Sequence, residues 1–233
     1  MKIALFGLAS LPLGRANLKD PRLDQVDRLV EAKKKTYAQV DLVGEGETLT
    51  ADAILTTRAA LADLLTKDLD FVEARLGRDP SPAERAVLEK LAEALISERT
   101  VLEQGLSAAE LQAIAAHNFH THKPVIVAEA AELQDPDALL RRAYRESGWI
   151  CFLTVGGKEN RAWPIRRGTT AWEAAGTIHS DIQKGFIRAE VISFQDLVEH
   201  GGETGAKRAG KQRLELKNYV IEDCDVVNFR FNK

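Results

Sequence analysis

Residues 2–17 read KIALFGLASLPLGRAN, an apolar run from Ile3 to Leu8 that breaks into a loop holding Gly7, Pro12 and Gly14. The run reads as the first strand of a nucleotide-binding sheet. A phosphate loop of the form G-x-x-x-x-G-K-[ST] should then follow, because glycine amides close around the phosphates, the lysine reaches their charge and the hydroxyl holds magnesium. Here Gly7 is followed by Gly14, Arg15 and Ala16, so spacing, lysine and hydroxyl all differ from the motif.

The bulk composition sets limits on the rest. A chain of 233 residues, 45% of them hydrophobic, can bury a sizeable core in one or two domains. No basic leader precedes an apolar stretch, and no apolar run approaches the roughly 20 residues of a membrane helix, so a cytoplasmic protein without membrane contact is expected. Cys151 and Cys224 form no CxxC pair, which argues against a disulfide scaffold or a zinc ribbon. From Gly156 onward 13 Lys or Arg stand against 11 Asp or Glu, leaving 19 against 24 in the rest of the chain. Lys207, Arg208, Lys211, Arg213 and Lys217 crowd into eleven positions with Glu215 as the one acid among them. Such a run, in a glycine-flanked exposed loop, suits phosphate contacts.

The middle of the chain is helical. Ile54, Leu61, Leu65, Leu69, Val72 and Leu76 repeat at helical spacing up to Gly77. Ser81-Pro82-Ala83-Glu84 then caps a second helix whose apolar face is Leu88, Leu91, Leu95 and Leu102. Together they predict an antiparallel hairpin, a short coiled coil. Ser107 to Glu110 opens a third helix, expected to run to about His117. QVDLVG (39–44) and PVIVA (124–128) read as buried parallel strands, with helices beginning at Asp20-Pro21 and Asp135-Pro136. With residues 3–8 they make an α/β core over 1–50 and 118–147, with the hairpin inserted as 51–117. Past residue 148, WICFLTV, RAWPI, a helix from Thr170 to Gly185, FIRAEVIS, NYVI and VVNFRF predict a separate α+β domain over 148–233.

Residues 175–232, AGTIHSDIQKGFIRAEVISFQDLVEHGGETGAKRAGKQRLELKNYVIEDCDVVNFRFN, resemble the carboxyl-terminal TGS-type domain of the Obg-like ATPases, the YchF group. The resemblance extends back through KENRAWPI, LSAAELQAIAAHNFHTHKPVIV and DAILTTRAALADLLTKDLDFVEARL to DPRLD (20–24). It implies a reduced P-loop-type parallel sheet with an inserted helical hairpin, followed by a β-grasp TGS-type domain. Against that family, the Walker A loop between Gly7 and Asp20 and the N-x-x-E base-reading motif after PVIV are missing, the latter replaced by AEAAE (128–132). Asp41 and Gly44 correspond to DxxG, and Arg15 is the candidate replacement cation.

On this reading the chain is a non-catalytic binding or regulatory protein that hydrolyses neither ATP nor GTP and needs no cofactor, the alternative being weak residual nucleotide binding. RNA or the ribosome is the partner the resemblance implies for the TGS-type domain, through Lys207, Arg208, Lys211, Arg213 and Lys217. The hairpin offers a surface for a protein partner. His117, His120 and His122 lack placed acidic or sulfur partners, so no metal site is assigned. Trp149, Trp163 and Trp172 could stack bases, but their spacing is that of core residues.

Overall fold

The structure, a computed structural model, describes residues 1–232. The chain opens with β1 (Lys2–Phe6), β2 (Gly14–Asn17), α1 (Pro21–Leu29), β3 (Lys35–Thr36), β4 (Gln39–Val43) and β5 (Ala53–Thr57). Then follow α2 (Arg58–Leu76), α3 (Pro82–Ile96), α4 (Ala108–Ala113), β6 (Val125–Ala128) and α5 (Pro136–Glu146). The remainder holds β7 (Trp149–Thr154), β8 (Asn160–Arg166), α6 (Ala171–Ile178), α7 (Ser180–Lys184) and β9 (Phe186–Ile192). It ends with α8 (Phe194–Glu199), α9 (Glu203–Arg208), β10 (Arg213–Glu215) and β11 (Val226–Phe231).

Two compact units emerge: residues 1–16 with 40–147, and residues 17–39 with 148–233. Residues 17–39, grouped with the α/β core on the sequence, therefore cluster with the second unit. The reason is local bonding: β3 pairs with β8, Arg22 bonds Asp223 at 2.8 Å, and the Asn160 amide donates to Asp27 and to the carbonyl of Val30.

The first unit is a mixed α/β layer around the strand order β2-β4-β1-β5-β6, with β1 parallel to β4 and β5, and β5 parallel to β6. Ile3, Ala4, Ile54 and Leu55 are buried because a parallel strand is covered on both faces. This corrects two expectations. Ile54 belongs to β5 and not to the hairpin; helix begins only after Thr57, whose hydroxyl accepts from the N–H of Ala60. Leu102 sits in a 3₁₀ turn and is 43% exposed, outside the hairpin seam.

The seam is otherwise as spaced. Leu61, Leu65 and Val72 of α2 pack on Val87, Leu88, Leu91 and Leu95 of α3. Ser81 caps α3, and Ser107 with Glu110 closes a capping box at α4, which ends at Ala113, short of His117.

The second unit is a six-stranded sheet in the order β10-β9-β11-β7-β8-β3. β7 and β8 form a hairpin, and β11 returns parallel beside β7 at the centre, which is the β-grasp arrangement. Ala171, Ala174 and Ala175 of α6 pack against Ile150, Phe152, Val227 and Phe229. The helix expected to run unbroken from Thr170 to Gly185 divides at His179, whose extended backbone separates α6 from α7. No helix among the described residues is long and apolar enough to cross a membrane.

Leu91 is fully buried, so Leu91→Ala should destabilise the chain by about 2–5 kcal/mol in chemical denaturation. Glu110 bonds Lys90 and the N–H of Ser107, which together hold its carboxyl down from the ordinary 4.5 to about 2. A depressed carboxyl stabilises the fold above its unfolded value and loses that contribution as pH falls through the folded value. The thermal stabilities of the parent and Glu110→Gln should therefore converge between pH 4.5 and about 2.

Candidate functional site

In the first unit the carboxyl end of β1 meets the amino end of α2. Gly7 has φ +66°, and a Cβ built on it would lie 2.3 Å from Cβ of Ala60, so only glycine turns the chain this close to the helix. The Gly7 N–H donates to Glu45 Oε1 at 2.9 Å. Glu45 is delivered by the turn that Gly44 begins, Glu45–Glu47. An anion approaching this amide must compete with the Glu45 carboxylate.

Asp41 lies inside β4, opposite Lys2, and its Oδ1 is 3.4 Å from Nε of Arg15. With side chains 52% and 69% exposed, the pair is worth about 1 kcal/mol at most. Arg15 and Asp41 are thus brought together as partners of each other, while Gly44 leads into the segment that reaches Gly7.

Sequence reading missed a buried polar cluster at the base of the hairpin. Asp68 of α2 accepts from the N–H groups of His120 and Thr121, at 2.7 and 2.8 Å, and from the Thr121 hydroxyl at 2.7 Å. Lys123 Nζ donates to the carbonyls of Thr48, Leu49 and Ala51 within 2.9 Å. His120 Nδ1 is 2.7 Å from the Thr48 hydroxyl, and His117 Nε2 is 2.7 Å from Glu84, which Arg75 also grips with two bonds. Burial lowers the His120 and Lys123 pKa values, while His117 and Arg75 hold Glu84 below the usual carboxylate range. The signal was present: an acid at a helix position facing the core needs donors.

In the second unit the five candidate cations do not share one loop. Lys207 and Arg208 end α9, Lys211 follows it, Arg213 lies in β10, and Lys217 lies beyond that strand. The glycines at 205 and 210 serve the helix and its exit, which is why the basic run folds. Lys207 Nζ is 3.9 Å from Glu203, and Lys211 Nζ is 3.1 Å from Asp196. Arg213 is consumed internally: it donates to the Tyr219 hydroxyl at 2.7 Å, which donates to Asp225 at 2.7 Å. Burial raises the Asp225 carboxyl, partly offset by the Glu222 N–H and the Tyr219 hydroxyl. Arg208 and Lys217 are exposed, with no side-chain partner among the described residues.

The tryptophans divide in the same way. Trp163 and Trp149 are half-buried beneath the guanidinium groups of Arg161 and Arg166, 4.0 and 4.3 Å from the ring centres. Trp172, on the first turn of α6, is 40% exposed, and its backbone N–H donates to the carbonyl of Lys217.

Residues 149–232 match the family YchF-GTPase_C, a protein of unknown function (DUF933). The ribosome-binding ATPase YchF of Haemophilus influenzae is 32% identical over 250 residues, covering 83% of this chain and 69% of that protein. Its namesake from Bacillus subtilis is 50% identical over 96 residues, 41% of this chain and 26% of that protein. The chain spans about two thirds of the length of such curated relatives. A Schizosaccharomyces pombe YchF GTPase structure superposes with a TM-score of 0.77 at 18% identity, covering 99% of this chain and 97% of that one. These similar proteins are named ATPases and a GTPase, and the names contradict the expectation that the chain is not an enzyme; that expectation falls.

Proposed function

The chain belongs to the YchF family of Obg-like ATPases, and from that membership we propose that it binds the ribosome. The observation that carries the reading is the 32% identity to a ribosome-binding ATPase across 83% of this chain. Within it, the second unit, which resembles a TGS-type domain, is the part that meets ribosomal RNA. Of the five candidate cations, Arg208 and Lys217 are open, and Lys207 is held only by a 3.9 Å pair that phosphate can displace. Arg213 is excluded from this role by its bonds to Tyr219 and Glu215. The outer faces of α2 and α3 are a surface for a protein contact.

Phosphate contacts release counterions, so affinity should fall with salt at a slope of about −0.7 per single-strand contact. In sedimentation with ribosomal subunits, Arg208→Glu together with Lys217→Glu should weaken binding and flatten that slope by about 1.4. Binding as strong as the parent's would remove RNA from the reading and leave the ribosomal proteins.

The relatives' names bring nucleotide hydrolysis into the proposal as well. Gly7 is where a nucleotide phosphate meets the first sheet, and it does so by displacing Glu45. Calorimetry with magnesium and ATP or GTP should therefore show tighter binding to Glu45→Ala than to the parent. Equal affinity would mean that the phosphate does not sit at Gly7.

A further inference from the structure

The second sheet has an opening at its centre. β7 ends at Thr154, and its ladder with β11 reaches only to Leu153 opposite Val226. β11 continues to Phe231, paired along that length with β9 alone. From Asn228 to Phe231, a span of about 13 Å, the β7 side of this central strand has no neighbour in the sheet.

A cavity of about 400 Å³ lies there. It touches Val226, Val227, Asn228, Phe229 and Phe231. Successive strand residues point to opposite faces, so one cavity reaches all of these only by lying against the strand's edge. Its other walls agree: Ile178 and Ile182 come from the α6 side of the sheet, while Glu203 and Gln212 come from the opposite side. Leu153 N–H donates to the carbonyl of Asp225, and backbone groups alternate sides along a strand. Phe229 therefore turns its N–H and C=O into the cavity. At the far end the N–H of Asn232 donates to the carbonyl of Gly185, just before β9, so that bond continues the ladder on the opposite side of β11.

We propose that this free edge of β11 docks an extended peptide segment of a partner protein, which joins the sheet as a strand and carries apolar and basic residues in alternation. The alternation follows from the walls. A strand laid beside β11 sends one set of side chains toward Ile178 and Ile182 and the other toward Glu203 and Gln212. The cavity is lined by two carboxylates, Glu190 and Glu203, and by no lysine, arginine or histidine. Glu190 is already bonded by Asn228 and Arg230, whereas Glu203 has only Lys207 at 3.9 Å, and the Gln212 amide has no partner among the described residues. The same carboxylates repel a phosphate backbone, so this surface differs from the cationic one above and does not depend on the ribosome reading. Main-chain bonds supply affinity in such an addition, and the alternate side chains supply selectivity.

The probe is a synthetic peptide alternating valine and lysine, added to the full chain. It should bind and protect the Phe229 amide from hydrogen exchange. Two control peptides, one N-methylated at the amides facing β11 and one with glutamate replacing lysine, should not. Glu203→Gln should weaken the valine–lysine peptide several-fold without changing thermal stability. Unchanged exchange at Phe229, or equal binding by either control peptide, overturns the proposal. An RNA oligonucleotide that protects Phe229 where the peptide does not also overturns it, and assigns the edge to RNA.

Discussion

Asp68 sits on the inner side of α2 with 1% of its surface exposed, and a carboxylate buried that deeply is tolerated only when its oxygens are fully used. Three hydrogen bonds from His120 and Thr121 do this. Because two of them come from backbone N–H groups, they fix the path of the chain just before β6. Thr121 passes the constraint on, accepting from the N–H of Val101 through its hydroxyl and from that of Leu102 through its carbonyl. The hairpin base, the segment after α3 and the entry to β6 are thereby held at one buried charge. Lys123 extends the same logic by gathering three carbonyls from residues 48–51, which lead into β5. The parallel pairing of β5 with β6, far apart in sequence, is held by this polar knot as well as by its apolar sides.

The second unit is ordered by an offset between two parallel strands. β11 begins where β7 ends, so the loop before β11 has to satisfy the start of β7. Asp223 accepts from the N–H of Cys151, and Cys224 donates to the Cys151 carbonyl from a backbone at φ +66°. Such a conformation is uncommon outside glycine, asparagine and aspartate and is held by its surroundings. Arg22 adds a bond to Asp223, which ties α1 to this loop and draws residues 17–39 into the unit. The same offset leaves the far half of β11 without a neighbour, so the anchoring of one end and the opening at the other have one geometric cause.

Much of this was legible in the chain because it rests on local chemistry. Asp20, Ser81, Ser107 and Asp135 cap helices where their spacing to Pro or Glu placed them, and Thr170 caps the helix expected to start there. Ile54 was misread because AILTT is a short apolar run leading directly into a helix, and periodicity alone does not separate a buried strand from a helical turn. The grouping of residues 17–39 was hidden because it depends on partners more than a hundred positions away, such as Glu159 and Asn160. At the candidate site, composition showed the cations but not their occupancy. Arg213 and Lys217 look alike in sequence, and Tyr219 and Asp225 make one structural and leave the other open.

At the carboxyl end of β1 the chain itself supplies an anion to a strand-end amide. An amide at a strand end beside a helix amino terminus favours an anion, because the helix dipole and the unpaired N–H both attract negative charge. Glu45 supplies that charge from the chain itself, while Gly7 lets α2 approach to a distance no side chain would permit. The core beneath, Ala4 and Phe6 with Ile54 and Leu64, is apolar and closed without help from the loop that follows. Strand packing and anion satisfaction are therefore separable here: the first holds the sheet together, and the second is met at one amide by an internal carboxylate.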